Sequence, residues 1–244
     1  MDAQILQAAY VLHSRRYGDS SLIVDLLTRD EGRVACLSKG ALRPRRTEAI
    51  LRSFQPLLAG LRGRGDVLTL THVESAGATL RLTGRNLYCG LYLNELLLKL
   101  TARHDASPPL FDDYVLAIQG LEAAPSAERV LRRFEVRLLE HLGLGLSLEL
   151  DSRGEPISVD SSYNYQVGTG AVRDRSLGGR QVSGGTLIAL RSGEFPDEGS
   201  LREARGLMRR VLDHHLDGRP LRSRELFRRM APTTGITPIN GNDK

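Results

Sequence analysis

An α+β fold, a β-barrel followed by helices with a β-like insert, is predicted by three observations. Five short strand-like runs fill the first 80 residues. After Leu87 the apolar residues switch to helical spacing. Between about residues 144 and 182 that spacing lapses into a stretch rich in Gly, Asp and Ser before helix resumes.

The strand-like runs come in order. Leu6 to Ser14 and Ser21 to Thr28 are apolar-rich. Asp30-Glu31-Gly32 is turn chemistry, and Arg33 to Lys39 follows as a third run. Pro56 to Leu61 and Val67 to Val73 are the fourth and fifth, joined by Gly63-Arg64-Gly65-Asp66 as a hairpin turn. Connections this short join strands antiparallel. Five short strands suggest a small closed or sandwich-like β unit. The five-stranded OB barrel, which binds oligonucleotides across one face and its flanking loops, fits best. Residues 1–80 are therefore expected to form an OB-fold DNA-binding domain.

The helical part spans residues 81–230, with the insert at about 144–182, and residues 231–244 read as a flexible tail. Leu87, Tyr88, Leu91, Leu96, Leu97 and Leu100 are apolar nearly all round, as in a buried helix that Ser107-Pro108-Pro109 breaks. Phe111 to Leu121 is next, with Asp112 and Asp113 opening it where carboxylates suit the helix dipole. Pro125 separates it from Ser126–Leu142, where Val130, Leu131, Phe134, Leu138 and Leu142 form one face and Gly143 suits the C′ position. Thr186 to Arg191 restarts helix. Ser200 and Glu203 have capping-box spacing for a helix to about Leu216, and Arg224 to Met230 is a short basic helix.

Composition sets bounds. Hydrophobic content of 41% and charged content of 26% are those of an ordinary globular chain. No apolar run reaches the ~18 residues of a membrane span, and no basic-then-apolar leader is present, so a cytoplasmic protein is expected. Cys36 and Cys89 sit in apolar runs and read as buried small hydrophobes; two cysteines make neither a disulfide framework nor a zinc site alone. Adjacent His214 and His215 point about 100° apart on a helix and cannot share a metal. Gly168-Thr169-Gly170 lacks the following Lys of a phosphate cradle and reads as a hairpin turn. Neither a Gly-x-Ser-x-Gly elbow nor a His-Glu-x-x-His pair occurs. No cofactor, no metal and no enzyme is expected.

The charge is uneven. Between Arg29 and Arg64 there are nine basic and three acidic residues, a larger excess than the +5 of the whole chain. Crowded like charges repel, and a polyanion relieves that repulsion. Of 34 basic residues, 31 are Arg. A GC-rich coding sequence would favour Arg over Lys but would not cluster the charges. Arg33, Lys39, Arg43, Arg45, Arg46, Arg62 and Arg64 are the expected phosphate contacts. Arg202, Arg205 and Arg209 form a helical stripe that could add a second DNA contact. Arg129, Arg132, Arg133 and Arg137 lie off the Leu/Phe face of their helix, with Glu128 and Glu135 among them as salt-bridge partners.

The ordered set of residues resembles the RecO family of bacterial recombination mediators. It is carried by Val11-Leu12-His13-Ser14-Arg15, Tyr17-Gly18-Asp19, Gly32-Arg33, Lys39-Gly40-Ala41, Gln55-Pro56 and Gly63-Arg64-Gly65-Asp66. Leu91 to Leu97, Leu110-Phe111-Asp112, Arg132-Arg133-Phe134-Glu135, Glu194-Phe195-Pro196 and Pro220 to Phe227 continue it to about Met230. The resemblance implies an OB domain, a helical domain with an inserted hairpin, and a role in DNA repair and recombination rather than a reaction. It implies binding of single- and double-stranded DNA, strand annealing, engagement of single-stranded-DNA-binding protein (SSB), and RecA loading with RecR. Some family members carry a four-cysteine zinc site in the insert. This chain has no cysteine there, so its insert must hold by hydrogen bonds and by packing of Tyr163 and Tyr165. The acidic, apolar-ended SSB tail is expected to dock beside Arg129, Arg132 and Arg133. A monomer, with no membrane contact, is the expected state. The alternative is an adaptor that links SSB and RecR without touching DNA.

Overall fold

The computed structural model describes residues 5–42, 47–123, 126–173 and 181–230. Five strands form a closed barrel: β1 (Gln7–Tyr17), β2 (Ser21–Thr28) and β3 (Gly32–Ser38), then, after the short helix α1 (Thr47–Ile50), β4 (Leu57–Arg62) and β5 (Val67–Ser75). Their order around the barrel is β1-β2-β3-β5-β4, the OB arrangement. The antiparallel expectation holds for four of the pairings, but β3 pairs with β5 in parallel, through Ala35–Val67, Cys36–Leu68 and Leu37–Thr69. That pairing closes the barrel, so its core residues Val24, Leu26, Val34, Cys36 and Ala59 are fully enclosed.

Alternation explains which residues point inward, and one irregularity explains where the alternation changes. The register of β1 shifts between Val11 and His13, leaving Leu12 as an extra, unpaired residue. Leu12 is turned out of the barrel into the helical core, together with Tyr10, Leu27 and Phe54. Barrel and helices thus share an apolar core at their junction, beside the barrel's own interior.

The helical part comprises α2 (Gly84–Leu100), α3 (Pro108–Ala123) and α4 (Ala127–His141), then the strands β6 (Ser162–Gln166), β7 (Gly170–Val172) and β8 (Gln181–Ser183), and finally α5 (Gly184–Ser192), α6 (Glu198–His215) and α7 (Arg222–Met230). Pro108 and Pro109 open α3 rather than only ending the helix before it, and the Ser107 hydroxyl accepts from the Leu110 amide. Asp112 and Asp113 therefore sit in the second turn and serve as ion-pair partners instead of caps. Asp112 meets Arg29 at 3.0 Å, and Asp113 meets Arg137 at 3.2 Å and His141 at 2.7 Å.

The capping box expected of Ser200 and Glu203 does not form. Asp197 is the N-cap of α6, accepting from the Ser200 amide at 2.7 Å. Glu203 turns instead to the hydroxyls of Ser183 and Thr186, both at 2.7 Å, and ties the start of α5 to α6. A carboxylate with three tertiary donors in reach gains more than one bonded back to its own cap.

The insert is a three-stranded sheet of order β7-β6-β8, one strand more than a hairpin, with Gly168 and Thr169 in the β6–β7 turn. Tyr163 and Tyr165 are buried in it. The Tyr163 hydroxyl accepts from the Ser158 amide at 2.9 Å, and the Arg173 guanidinium lies 5.6 Å from its ring centre. A Cβ on Gly184 would come within 1.9 Å of the Ser158 carbonyl oxygen, so only glycine lets the two segments close up.

Polar contacts seal the junction of barrel and helices. Asn94 of α2 donates to the Leu12 carbonyl at 3.0 Å and accepts from the Tyr114 hydroxyl at 2.8 Å, which satisfies the carbonyl that the bulge frees. At Gly32 the backbone has a φ of +68°, and an added Cβ would stand 2.0 Å from the Asp105 carbonyl oxygen. The position needs glycine both for its conformation and for the close approach.

Candidate nucleic-acid face and partner cleft

One line of paired residues crosses the barrel wall. Arg15 on β1 pairs with Ile23 on β2, Ile23 with Leu37 on β3, Leu37 with Thr69 on β5, and Thr69 with Arg62 on β4. Residues paired across strands share a face. The neighbouring line of Val24, Cys36 and Leu68 faces the barrel core, so this line faces outward. Arg15 and Arg62 are exposed at its ends, with the half-buried Ile23, Leu37 and Thr69 between them. Tyr17 follows Arg15 on the same face and is 55% exposed. Lys39, just past β3, is exposed at the same end of the barrel, where the Leu42 amide bonds the Ser20 carbonyl.

The expected DNA contacts divide. Charge clustering between Arg29 and Arg64 leaves out Arg15 and Tyr17, although their i, i+2 spacing on a strand is a readable signal. Arg64 is exposed in the β4–β5 turn. Arg33 is turned away from solvent, its side chain only 13% exposed. It donates to the Thr101 hydroxyl at 3.2 Å and the Thr101 carbonyl at 2.8 Å. Burial and the nearby Arg103 push its pKa down, against the pull of Asp25. Its chemistry is that of a junction clamp. Arg43, Arg45 and Arg46 lie outside the described residues.

A cleft of about 640 Å³ opens between α2, α4, α6 and α7. Six arginines (Arg85, Arg132, Arg202, Arg205, Arg209 and Arg224) line it against two glutamates, Glu128 and Glu225. Cys89, Tyr92, Leu131, Leu221 and Phe227 supply apolar wall. Arg202, Arg205 and Arg209 do form one stripe, but the stripe faces this cleft. Arg205 and Arg85 share Glu128 at 3.1 and 3.0 Å, and Arg209 lies 3.7 Å from Asp213. Arg202 has no ion-pair partner among the described residues.

Of the three arginines expected at a partner site, only Arg132 lines the cleft. Arg129 is exposed and donates to the Phe195 carbonyl at 2.6 Å, and Arg133 is exposed beside Gly193. Arg132 is not on a solvated face, as the helical pattern suggests; its side chain is 7% exposed and meets Glu135 at 2.5 Å. Glu135 also accepts from the Tyr92 hydroxyl at 2.7 Å. Burial pushes the Glu135 carboxyl up, against the pull of Arg132 and Tyr92.

Glu95 of α2 shapes one wall of the cleft at a distance. Its carboxylate accepts from the Arg222 and Ser223 amides at 2.9 Å each and from the Ser223 hydroxyl at 2.7 Å. It thereby caps α7 from another helix. Burial raises its pKa, but these bonds and Lys99 outweigh that and leave it below the usual carboxylate range. Both cysteines are buried thiols; burial pushes Cys36 up to about 12 and Cys89 to about 11, which keeps them unreactive. Among the described residues no group of three or more His, Cys, Asp or Glu could hold a metal ion, and no helix is long and apolar enough to cross a membrane.

The barrel and the helices each have counterparts among known proteins. A family model described as Recombination protein O N terminal matches residues 1–78, and one described as Recombination protein O C terminal matches residues 81–225. The DNA repair protein RecO of Methylococcus capsulatus is 43% identical over 226 residues, covering 92% of this chain and 93% of that protein. That of Halorhodospira halophila is 44% identical over 228 residues, covering 91% and 96%. That of Pectobacterium atrosepticum is 40% identical over 242 residues, covering 98% of both. With both halves matched in order and the likeness running almost end to end, the chain belongs to the recombination protein O family.

Proposed function

We propose that the chain mediates DNA repair by homologous recombination, gripping DNA with its barrel and the SSB tail with its helical cleft. The observation that carries this reading is the pairing of an outward basic–aromatic barrel face with a separate cleft that is both basic and apolar. On the barrel, Arg15, Lys39, Arg62 and Arg64 contact phosphates without reading sequence, and Arg43, Arg45 and Arg46 add to them. Tyr17 offers a ring for a base to stack on. Neutralising phosphates on two strands lowers the repulsion between them, so annealing needs no nucleotide and no covalent step.

In the cleft, the arginine rim attracts the acidic residues of the SSB tail while Leu131, Leu221 and Phe227 take its apolar end. Arg202, Arg205 and Arg209 move from the DNA contacts to this partner site, because they line the same cleft as Arg132. RecR joins the complex, and the two together promote RecA loading, as the family resemblance implies. Two measurements test the reading. Naked complementary strands should anneal faster with the protein present, and a synthetic SSB-tail peptide should bind it. Tail binding without annealing would support the adaptor that holds no DNA, and cleavage of DNA in Mg²⁺ would support an enzyme.

A further inference from the structure

A second outward row crosses the barrel beside the line of Arg15 and Arg62, two residues further along each strand. His13 on β1 pairs with Asp25 on β2, Asp25 with Ala35 on β3, and Ala35 with Val67 on β5. His13 and Val67, at the ends of the row, are exposed, yet Ala35 is buried. A side chain from the helical part covers it. Arg103 follows α2, and its backbone bridges in parallel to Arg33 near the start of β3. Its guanidinium lies 3.9 Å from Asp25 on one side of Ala35 and 3.4 Å from the Asp66 carbonyl oxygen on the other. The small side chain of Ala35 leaves the bed on which this arginine rests.

By position alone Arg103 could be a second structural clamp, but its contacts are of another kind. Arg33 is enclosed and bonds Thr101 at 2.8 and 3.2 Å, within the ordinary range for an N–H donor. The Arg103 side chain is 41% exposed, and both of its contacts are longer than that range. Asp25 is also shared, because Arg33 stands 4.0 Å from the same carboxylate oxygen. One carboxylate balances one of two guanidinium groups, so a positive charge is left over. A guanidinium has five N–H donors, and a loosely held one can turn them to an incoming anion.

We infer that Arg103 is a DNA phosphate contact supplied to the barrel face by the helical part, and that Asp25 is the resident anion it leaves when a strand arrives. This rests on the outward barrel face being the DNA seat, and it carries that seat across the junction, so that a bound strand touches both halves of the chain. The exchange is local. Carboxylate and phosphate both suit the planar fork of a guanidinium, so Arg103 gives up one oxygen ligand for another. Asp25 keeps Arg33 as its partner when Arg103 turns away, so no half-buried charge is left alone. The resident contact also sets a sign: its loss is a cost of binding, and Asp25 holds the affinity for DNA down.

The test follows binding of a mixed-sequence single-stranded oligonucleotide across a salt series. Arg103→Gln keeps an N–H donor but not the charge, and it should lower the slope of log affinity against log salt by about 0.7, the value of one phosphate. Arg103→Lys should keep the wild-type slope. Arg191→Ala, which removes an exposed arginine from α5, should keep it too. Asp25→Asn should bind the strand about two- to fivefold more tightly, the span of an ion pair near the surface. That gain should vanish when Asp25→Asn is combined with Arg103→Gln. An unchanged slope in Arg103→Gln, an equal loss in Arg191→Ala, or a gain from Asp25→Asn that persists without the Arg103 charge overturns the inference. If Arg103→Gln fails to fold, Asp25→Asn decides alone, and no gain overturns it. The seat is judged separately, by replacing Arg15, Lys39 and Arg62 together with Ala. A flatter slope there beside an unchanged one in Arg103→Gln strikes Arg103 and keeps the seat. Unchanged slopes in both strike the seat, and the inference with it.

Discussion

The guanidinium of Arg33, on the barrel, reaches the carbonyl oxygen of Thr101, at the end of α2, at 2.8 Å. A second bond runs to the Thr101 hydroxyl, and the Arg33 carbonyl accepts from the His104 amide at 2.9 Å. Charge counting places Arg33 among the phosphate contacts, whereas geometry gives it to the fold. Arg33→Ala should cost about 1.5–3 kcal/mol, the range for hydrogen bonds to a charged group. Chemical denaturation measures this, and the salt dependence of DNA binding should stay as in the wild type.

Tyr17 should behave in the opposite way. Half exposed on the strand line of Arg15, it touches little whose loss would destabilise the barrel. Tyr17→Ala should weaken binding to single strands by about 1–3 kcal/mol, the value of one base stacked on one ring. Tyr17→Phe should retain the affinity. Fluorescence anisotropy with single- and double-stranded oligonucleotides separates stacking from charge, because paired bases offer no free face.

Salt tests the proposed phosphate contacts. For single strands, the logarithm of affinity falls by about 0.7 per neutralised phosphate for each unit of log salt. Replacing Arg15, Lys39 and Arg62 together with Ala should reduce that slope by about 2. Replacing Arg43, Arg45 and Arg46 should flatten it further. An unchanged slope in the first triple variant would remove the outer barrel line from the DNA path.

Glu95→Gln should loosen α7 and, with it, the wall that carries Arg224 and Phe227. The bonded carboxylate has a depressed folded-state pKa, so its contribution is complete above the ordinary carboxylate value of ~4.3 and is lost as pH falls through the folded value. At neutral pH the substitution should cost about 1–2 kcal/mol, as loss of a helix cap does. Hydrogen exchange should quicken at the α7 amides, and peptide affinity should fall, while strand annealing is kept.

The barrel strands could be read because period-two alternation, broken by Asp30-Glu31-Gly32 and Gly63 to Asp66, is a local property. The partner of each strand is not local. Nothing in Arg33–Lys39 or Val67–Val73 announces that β3 and β5 run parallel, and no residue pattern shows that Leu12 is an extra residue in a bulge. The same limit governs the charges. Helical spacing put Arg202, Arg205 and Arg209 on one stripe correctly, but which neighbours that stripe faces depends on how α6 and α7 pack. Arg132 looked solvated because periodicity in α4 takes one apolar face for the whole buried surface. A buried arginine with a buried glutamate three residues on leaves the same sequence trace as a surface salt bridge.

The shared core gives a last consequence. Because Leu12 and Tyr10 of the barrel are packed among the helices, and Asn94 holds the bulge beside them, the barrel face and the helical cleft are not joined by a tether. For a mediator of the proposed kind, the fold acts as a ruler. The span between a held strand and a held tail is set by packed side chains, so the two grips keep one separation instead of drifting apart as domains on a linker would.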